Sequence, residues 1–393
     1  MSQPGTLPGC LNLTAHIDHS FGGLTTSLPE FCQALRRTGK YRAGLAAFCE
    51  PGETAGTAED TAVLPLGRLR WQTDSTLRRR LAGLIEHADA VHIHGLWQEQ
   101  SALGSFFARA ARKPYLVSAH GMLEPWAIQN KAWKKQLYWN LLEKRYLKGS
   151  RCLRALTTAE AGHYRSMGLQ TPVAVIPNGV TAPATIDPEL FFQRFPDLRK
   201  RTIVLFLGRL HPKKGLTLLC DSWSKVCSSY PEAHLVIAGP DSDAQQQSLE
   251  TLVAERGIES RVTFAGMLRG EEKWAALGAA SFFTLPSYSE GFSISVLEAL
   301  AAGTPVILSR QCYFPEVDLY QCGLTIEPEP LALQAALREC LELSPADRIV
   351  WGARAKQLVQ DRFTWPIVGA QSAAVLDWIL GGGPAPSCVE ILS

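Results

Sequence analysis

No apolar run in this chain reaches the roughly 18 residues that a membrane-spanning helix requires, which argues against a helical span. The ten cysteines contain no CxxC pair, and the intervals Cys220–Cys227 and Cys312–Cys322 are not those of a zinc site. Free, buried thiols in a reducing cytoplasm are the expected state. The opening Met1-Ser2-Gln3-Pro4-Gly5 has neither a basic n-region nor an apolar h-region, so no secretory signal is expected. Cys388 is followed by five residues rather than three and is not placed for prenylation. Internal repeats and low-complexity tracts are missing. So is any chain-wide basic stripe or aromatic platform, which makes nucleic acid a poor partner.

What remains is a chain of 393 residues, 46% hydrophobic and 19% charged, long for one domain and comfortable for two. Its net charge of +2 hides an asymmetry. Residues 1–180 carry 21 Lys+Arg against 13 Asp+Glu, and the remainder 18 against 24, so the halves stand at +8 and −6. A basic first half suits an anionic acceptor or lipid surface.

Strand and helix patterns alternate throughout, which predicts two parallel-sheet α/β domains. In the first, strands are expected over 10–17, 43–48, 90–93, 115–119, 153–157 and 173–176, with a helix over 25–37. In the second they are expected over 202–207, 234–238, 261–264, 281–285, 304–308 and 324–326. The three prolines of 181–200 suggest a linker, which sets an N-terminal domain at 1–180 and a C-terminal one at 201–364. A last helix is expected over 365–380, and the Gly/Pro-rich 381–393 is expected to be a flexible tail.

The most informative stretch is 281–307. A short apolar run ends at Pro286, a loop carries Glu290 and Gly291, and a helix over 294–302 carries Glu298. On one continuous helix the two glutamates would stand about 12 Å apart along the axis and about 80° apart around it. The loop removes that constraint. A hydrolase pair needs carboxyl groups roughly 5–9.5 Å apart, whereas this arrangement suits a longer ligand held at two points. Both glutamates also have an ordinary reading, as a solvated loop residue and a helix-surface residue. For Glu298 the neighbours Val296, Leu297, Ala299 and Leu300 make the surroundings apolar, where an unpaired charge is costly.

Gly208-Arg209-Leu210-His211-Pro212-Lys213-Lys214-Gly215 follows the first strand of the second domain. Open α/β sheets bind ligands at that end of a strand. Arg209 and Lys214, beside a helix N-terminus, can neutralise a diphosphate; a solvated basic loop is the alternative. Gly22-Gly23 lies in the corresponding loop of the first domain, where glycines let backbone amides approach a phosphate or simply make a turn.

The segment from Glu290 to Glu298 resembles the Glu-x7-Glu signature of glycosyltransferase family 4, retaining enzymes of the GT-B fold. That family usually has Gly where this chain has Ser293. The resemblance covers nearly the whole chain and is strongest over 200–310. It implies two Rossmann-like domains facing across a cleft, with the last helix crossing back to brace the first. It implies that Glu290 contacts the donor hexose, Glu298 the ribose hydroxyls, and Arg209 and Lys214 the donor phosphates. Gly208, Gly291, Phe292, Ser293 and Ile294 join them around the donor, and the Gly22-Gly23 loop approaches the same phosphates.

Three histidines fall at first-domain strand ends. His92 and His94 share one strand face, a possible metal pair without an obvious third ligand. His120 resembles the family's histidine near the reacting sugar carbon; a satisfied strand-end histidine is the alternative. Asp241-Ser242-Asp243 matches a metal-binding Asp-x-Asp pattern but opens a polar run and reads as an exposed loop. The resemblance implies that protein cations replace a metal, so no cofactor is expected.

From Lys131 to Arg154 there are eight basic residues and one acidic. Trp133, Leu137 and Leu141 recur at helical spacing, as do Tyr138, Leu142 and Tyr146. This is a basic amphipathic helix, suited either to an anionic membrane or to a core-facing packing role. The expectation is a cytoplasmic hexosyltransferase, peripheral at the inner membrane face in the first of these two roles. It would move a hexose from a UDP- or GDP-sugar to a hydroxyl acceptor, a lipid-linked or polysaccharide-precursor glycan. A non-hydrolysing sugar-nucleotide epimerase and a silent partner-binding subunit of the same fold are the alternatives.

Overall fold

The computed structural model describes residues 7–15, 23–49, 61–65, 75–129, 132–241 and 244–392. They divide into two compact units, 1–179 with 365–393, and 180–364.

The first unit carries seven parallel strands: β1 (Gly9–Thr14), β2 (Arg42–Cys49), β3 (Thr61–Pro65), β4 (Ala90–His94), β5 (Tyr115–Ser118), β6 (Cys152–Ala155) and β7 (Val173–Val175). The second carries six: β8 (Thr202–Leu207), β9 (Ala233–Ala238), β10 (Val262–Gly266), β11 (Phe282–Leu285), β12 (Val306–Ser309) and β13 (Gly323–Ile326). The two-residue β14 (Val389–Glu390) returns to the first unit and pairs antiparallel with β7.

In the first sheet the order is β14-β7-β6-β5-β4-β1-β2-β3, in the second β10-β9-β8-β11-β12-β13. Each therefore reverses direction once, between β1 and β4 and between β8 and β11. A crevice opens at such a reversal, at the carboxyl ends of the strands, and doubly wound sheets bind ligands there. β8 (Thr-Ile-Val-Leu-Phe-Leu) reads as a near-continuous apolar run, as a parallel strand covered on both faces does, and is buried from its second residue onward.

The helix Trp365–Gly381 belongs to the first unit, against the helix Gly23–Arg37. Leu28, Phe31 and Leu35 share a core with Val368, Ala373 and Leu376. The approach is close enough that a Cβ on Gly369 would lie 2.6 Å from the Ala34 carbonyl oxygen. Tyr41 adds a 2.7 Å hydrogen bond to Asp377.

Several expectations differ in detail. β1 ends at Thr14, and residues 16–17 of the expected strand lie outside the described residues. The segment read as a linker is packed into the second unit. It forms the helix Glu189–Arg194, and Phe191 and Leu198 are buried. The tail carries β14, whose approach is fixed by a 2.8 Å bond from the Val175 amide to the Cys388 carbonyl. Its glycines end at Gly383, and the strand follows them. Cys10, Cys32, Cys152, Cys220, Cys227, Cys312, Cys322 and Cys340 are free, buried thiols, and Cys388 is a half-buried one.

Candidate active site

In the second unit, the loop after β8 and the loop after β11 emerge side by side, because those strands are neighbours at the reversal. The first loop tightens into a 3-10 turn, Pro212–Lys214, and Gly215 follows in the left-handed region at φ 71°. Only glycine fits there: a Cβ would stand 2.1 Å from the Pro286 carbonyl oxygen of the second loop. The Tyr288 amide donates to the Lys213 carbonyl at 2.7 Å. The two loops are thus held as one piece.

Their contact brings the predicted cation and carboxylate together. Lys214 Nζ donates to Glu290 Oε1 at 2.6 Å, and Ser287 Oγ donates to the same oxygen at 2.7 Å. Glu290 is 5% exposed and Lys214 9%. Burial alone would push the Glu290 carboxyl up; the Lys214 ammonium, Lys213 and the two hydrogen bonds together hold it below the usual carboxylate range. Arg209, two residues beyond β8, is exposed at the same edge. Gly208 lies between them, its carbonyl so close to Gly239 that a Cβ there would be 1.8 Å away.

Gly291 and the half-buried Phe292 complete the second loop, with Phe292 centred 5.0 Å from Phe314. Ser293 then stands at the N-cap of the helix Ile294–Ala302; its Oγ bonds no helix backbone amide and instead pairs with Ser295 Oγ at 3.1 Å. Gly303, at φ 84°, stops the helix. Glu298 lies within it, 8% exposed. The charge that the apolar surroundings disfavour is paired with Lys273 at 2.5 Å. Burial still raises the Glu298 carboxyl above its usual range, against the lowering effect of Lys273.

In the first unit the three histidines form one cluster at the β1/β4 reversal. His94 Nδ1 is 3.0 Å from His120 Nε2, and His94 Nε2 is 3.1 Å from Asn12 Oδ1. His92 Nε2 is 2.8 Å from Ser118 Oγ. His92 and His94 share a face as expected, but both ring nitrogens of His94 and Nε2 of His92 are spent on protein partners. Among the described residues no group of three or more His, Cys, Asp or Glu side chains is placed to hold a metal. His120 sits in the left-handed region at φ 53°, an uncommon and strained place for a histidine. Glu160 grips the next residue, accepting from the Gly121 amide at 2.6 Å and the Leu156 amide at 2.7 Å. Arg154 lies buried nearby, 4.6 Å from the Phe31 ring and donating to the Ile176 and Pro177 carbonyls.

Burial, then the Arg154 charge, lowers His120 to about 3. His92 and His94 are also held well below the usual range, burial being the largest cause. These rings are therefore neutral at pH 7. In an NMR titration their Cε1–H shifts are expected to stay flat from pH 8 to about 5; any of the three moving near 6.5 would contradict this. An unfolded histidine takes its proton near 6.5, so acidification below that value favours unfolding by about 1.4 kcal/mol per pH unit per ring.

Of the remaining expectations, Gly22 lies outside the described residues, and Gly23 opens the helix Gly23–Arg37. Ser242 and Asp243 are likewise outside. Asp241 lies ahead of the helix Gln246–Glu255 and accepts from the Gln245 amide at 2.7 Å and the Gln246 amide at 3.2 Å. Sequence reasoning missed Lys273, Ser287, Asn12, Arg154 and Glu160. Only Ser287, three residues before Glu290, carried a local signal.

The family model "Glycosyl transferases group 1" matches residues 189–358, and "Glycosyl transferase 4-like domain" matches 22–179. A GDP-mannose:cellobiosyl-diphosphopolyprenol alpha-mannosyltransferase of Xanthomonas campestris is 28% identical over 266 residues, 67% of each chain. An MMP alpha-(1->4)-mannosyltransferase of Mycolicibacterium hassiacum is 26% identical over 312 residues, 76% of this chain and 72% of its own. Among solved structures, Anabaena HepE in complex with UDP-glucose superimposes with a TM-score of 0.73 at 18% identity, covering 94% of this chain and 99% of its own. A sucrose-phosphate synthase from Thermosynechococcus elongatus also gives 0.73, at 20% identity, covering 96% and 100%.

Proposed function

The chain belongs to the glycosyl transferases group 1 family and has the GT-B fold, and from that premise we propose a retaining hexosyltransferase. It takes a hexose from a UDP- or GDP-sugar and places it on a hydroxyl of a lipid-linked or polysaccharide-precursor glycan, in the cytoplasm. The observation that carries this reading is the buried Lys214–Glu290 pair where the β8 and β11 loops meet. A cation and an acid locked together at a sheet reversal are set to receive a ligand with an anionic part and a polyhydroxyl part.

The roles follow from the chemistry of departure. As the bond from the sugar carbon to the diphosphate breaks, negative charge grows on the leaving phosphate. Arg209 and Lys214 stabilise it, and they take the place a metal fills elsewhere. Glu290, kept ionised by Lys214, accepts hydrogen bonds from the hexose hydroxyls. Glu298 does the same for the ribose, and the backbone of Gly208, Gly291, Phe292, Ser293 and Ile294 lines the donor. In the first unit, Gly22 and Gly23 are assigned to the phosphates and neutral His120 to the transferred hexose. The acceptor hydroxyl attacks on the side the diphosphate leaves, and a phosphate oxygen takes its proton, so no side-chain nucleophile is required. The printed name of the Xanthomonas relative, with its GDP-mannose donor and diphosphopolyprenol acceptor, supports the donor and acceptor classes.

A thermal-shift panel of UDP- and GDP-hexoses is the first test. One or more are expected to stabilise the chain; no shift with any of them would sink the reading. Incubation with the stabilising donor alone should leave its sugar unisomerised, whereas an isomerised product would identify an epimerase. Glu298→Ala is expected to weaken nucleotide binding about 10–100-fold, the worth of hydrogen bonds to a charged acceptor. Calorimetry would check this on variant protein shown to be folded by its melting transition, since loss of the Lys273 pair should disturb folding less than it weakens binding.

A further inference from the structure

One long helical stretch of the first unit turns bulky apolar side chains outward. It runs as Ala132–Tyr138, a π turn Trp139–Glu143, and Lys144–Gly149. Trp133, Leu137 and Leu141 are 71%, 55% and 64% exposed. Four-residue spacing stacks them into one ridge. The π turn carries an extra residue per turn. Trp139 and Glu143 stay buried, Glu143 accepting the Trp97 amide at 2.9 Å, while both Leu141 and Leu142 are left outside. Trp126, on the preceding short helix Pro125–Gln129, is 40% exposed. The helix does pack on the core, through Trp139, Glu143 and Leu147, and Trp133, Leu137 and Leu141 lie on its outer side.

The same ridge continues from Leu141 to Arg145 and Lys148, both exposed. From Lys144 to Arg151 there are four cations and no acid. The helix thus presents an apolar ridge at one end and a positive cluster at the other. Acidic side chains that would suit a basic or polar protein partner are missing from both. A second copy of the chain would bring another cluster of like sign into a symmetric contact. A lipid surface with anionic headgroups satisfies both ends: tryptophan and leucine enter the headgroup–acyl boundary, and the cations meet the phosphates. No helix among the described residues is long and apolar enough to cross a membrane, so the seat is on the surface.

We propose that this ridge docks the protein on an anionic bilayer, with Trp133, Leu137 and Leu141 inserted at the interface and Arg145 and Lys148 against the lipid phosphates. The proposal stands apart from the transferase reading, because neither the ridge nor its test involves a sugar nucleotide.

The test is co-sedimentation of the full chain with vesicles of phosphatidylcholine containing phosphatidylglycerol, beside vesicles of phosphatidylcholine alone. Binding to the anionic vesicles is expected, and little to the neutral ones. Arg145→Ser with Lys148→Ser should weaken it about 30-fold at low salt, at about a factor of five per cation. Leu137→Glu with Leu141→Glu should weaken it at least about 50-fold, since it removes insertion and adds repulsion. These positions are exposed, so both variants should keep the wild-type melting transition. The proposal is overturned if the wild type stays in the supernatant, if it binds neutral vesicles equally, or if neither pair of changes weakens binding. Light scattering decides the remaining case: a wild-type dimer that Leu137→Glu with Leu141→Glu dissociates, without vesicle binding, makes the ridge a self-association face instead.

Discussion

Arg209→Ala is expected to lower turnover by about 10²–10³, the loss seen when one preorganised donor to a developing oxyanion is removed. Arg209 is exposed, two residues past β8, so the change should leave the melting transition in place and act on the reaction alone. Arg209→Lys should recover part of the loss. It restores the charge but not the planar fork that can hold two phosphate oxygens at once. The check is steady-state kinetics with the donor identified by thermal shift. Near-normal turnover of a folded Arg209→Ala protein would remove this residue from the mechanism while leaving Lys214 to be judged separately.

Lys214→Met should have its largest effect on stability. It strands the Glu290 carboxylate in a buried site, and removing one partner of a buried ion pair costs about 3–5 kcal/mol. The pH dependence gives the result a signature. In the native chain Glu290 is held below its usual range, so its contribution is complete above the unfolded value of about 4.3 and is lost as pH falls through the lower folded value. Without Lys214, burial dominates and raises Glu290 instead. Acid then relieves the stranded charge, so the gap in melting temperature between variant and wild type should narrow from pH 7 toward pH 5. Adding Glu290→Leu to Lys214→Met should return part of the lost stability, because an apolar pair of similar volume is tolerated where a lone charge is not. A gap that is constant with pH would mean that Glu290 is not the group responsible. Activity should fail in all of these variants.

The parts of this molecule that were legible in its sequence are those set by local pattern. β8 is a single apolar run, and the helix Ile294–Ala302 is apolar throughout and closed by Gly303, so both were predicted with the bounds observed. Lys214 and Glu290 were grouped through the family resemblance; their contact depends on β8 and β11 being neighbours in the sheet, which local pattern does not report. Contacts made across the fold left no such trace. Lys273 reaches Glu298 from a different helix, and Asn12 reaches His94 from a different strand. β3 ends on a proline and β14 is two residues long, too short for alternation to show. Prolines in 181–200 suggested a linker because composition reports turns, and it is burial of Phe191 and Leu198 that makes the segment part of a core. Helical spacing correctly grouped Trp133, Leu137 and Leu141, but periodicity has no sign: it says which side chains share a face, not whether that face meets protein or solvent.

The first unit is discontinuous along the chain, and this has a consequence during synthesis. Its helix Gly23–Arg37 is made early, yet the partner that covers Leu28, Phe31 and Leu35 is the helix Trp365–Gly381, and the strand that flanks β7 is later still. A nascent chain stalled at residue 179 would expose that apolar surface. The ribosome releases the second unit, residues 180–364, in one uninterrupted piece while the half begun first still waits for its cover. Translation order and completion order are therefore inverted, and the exposed interval is when a chaperone would find something to hold.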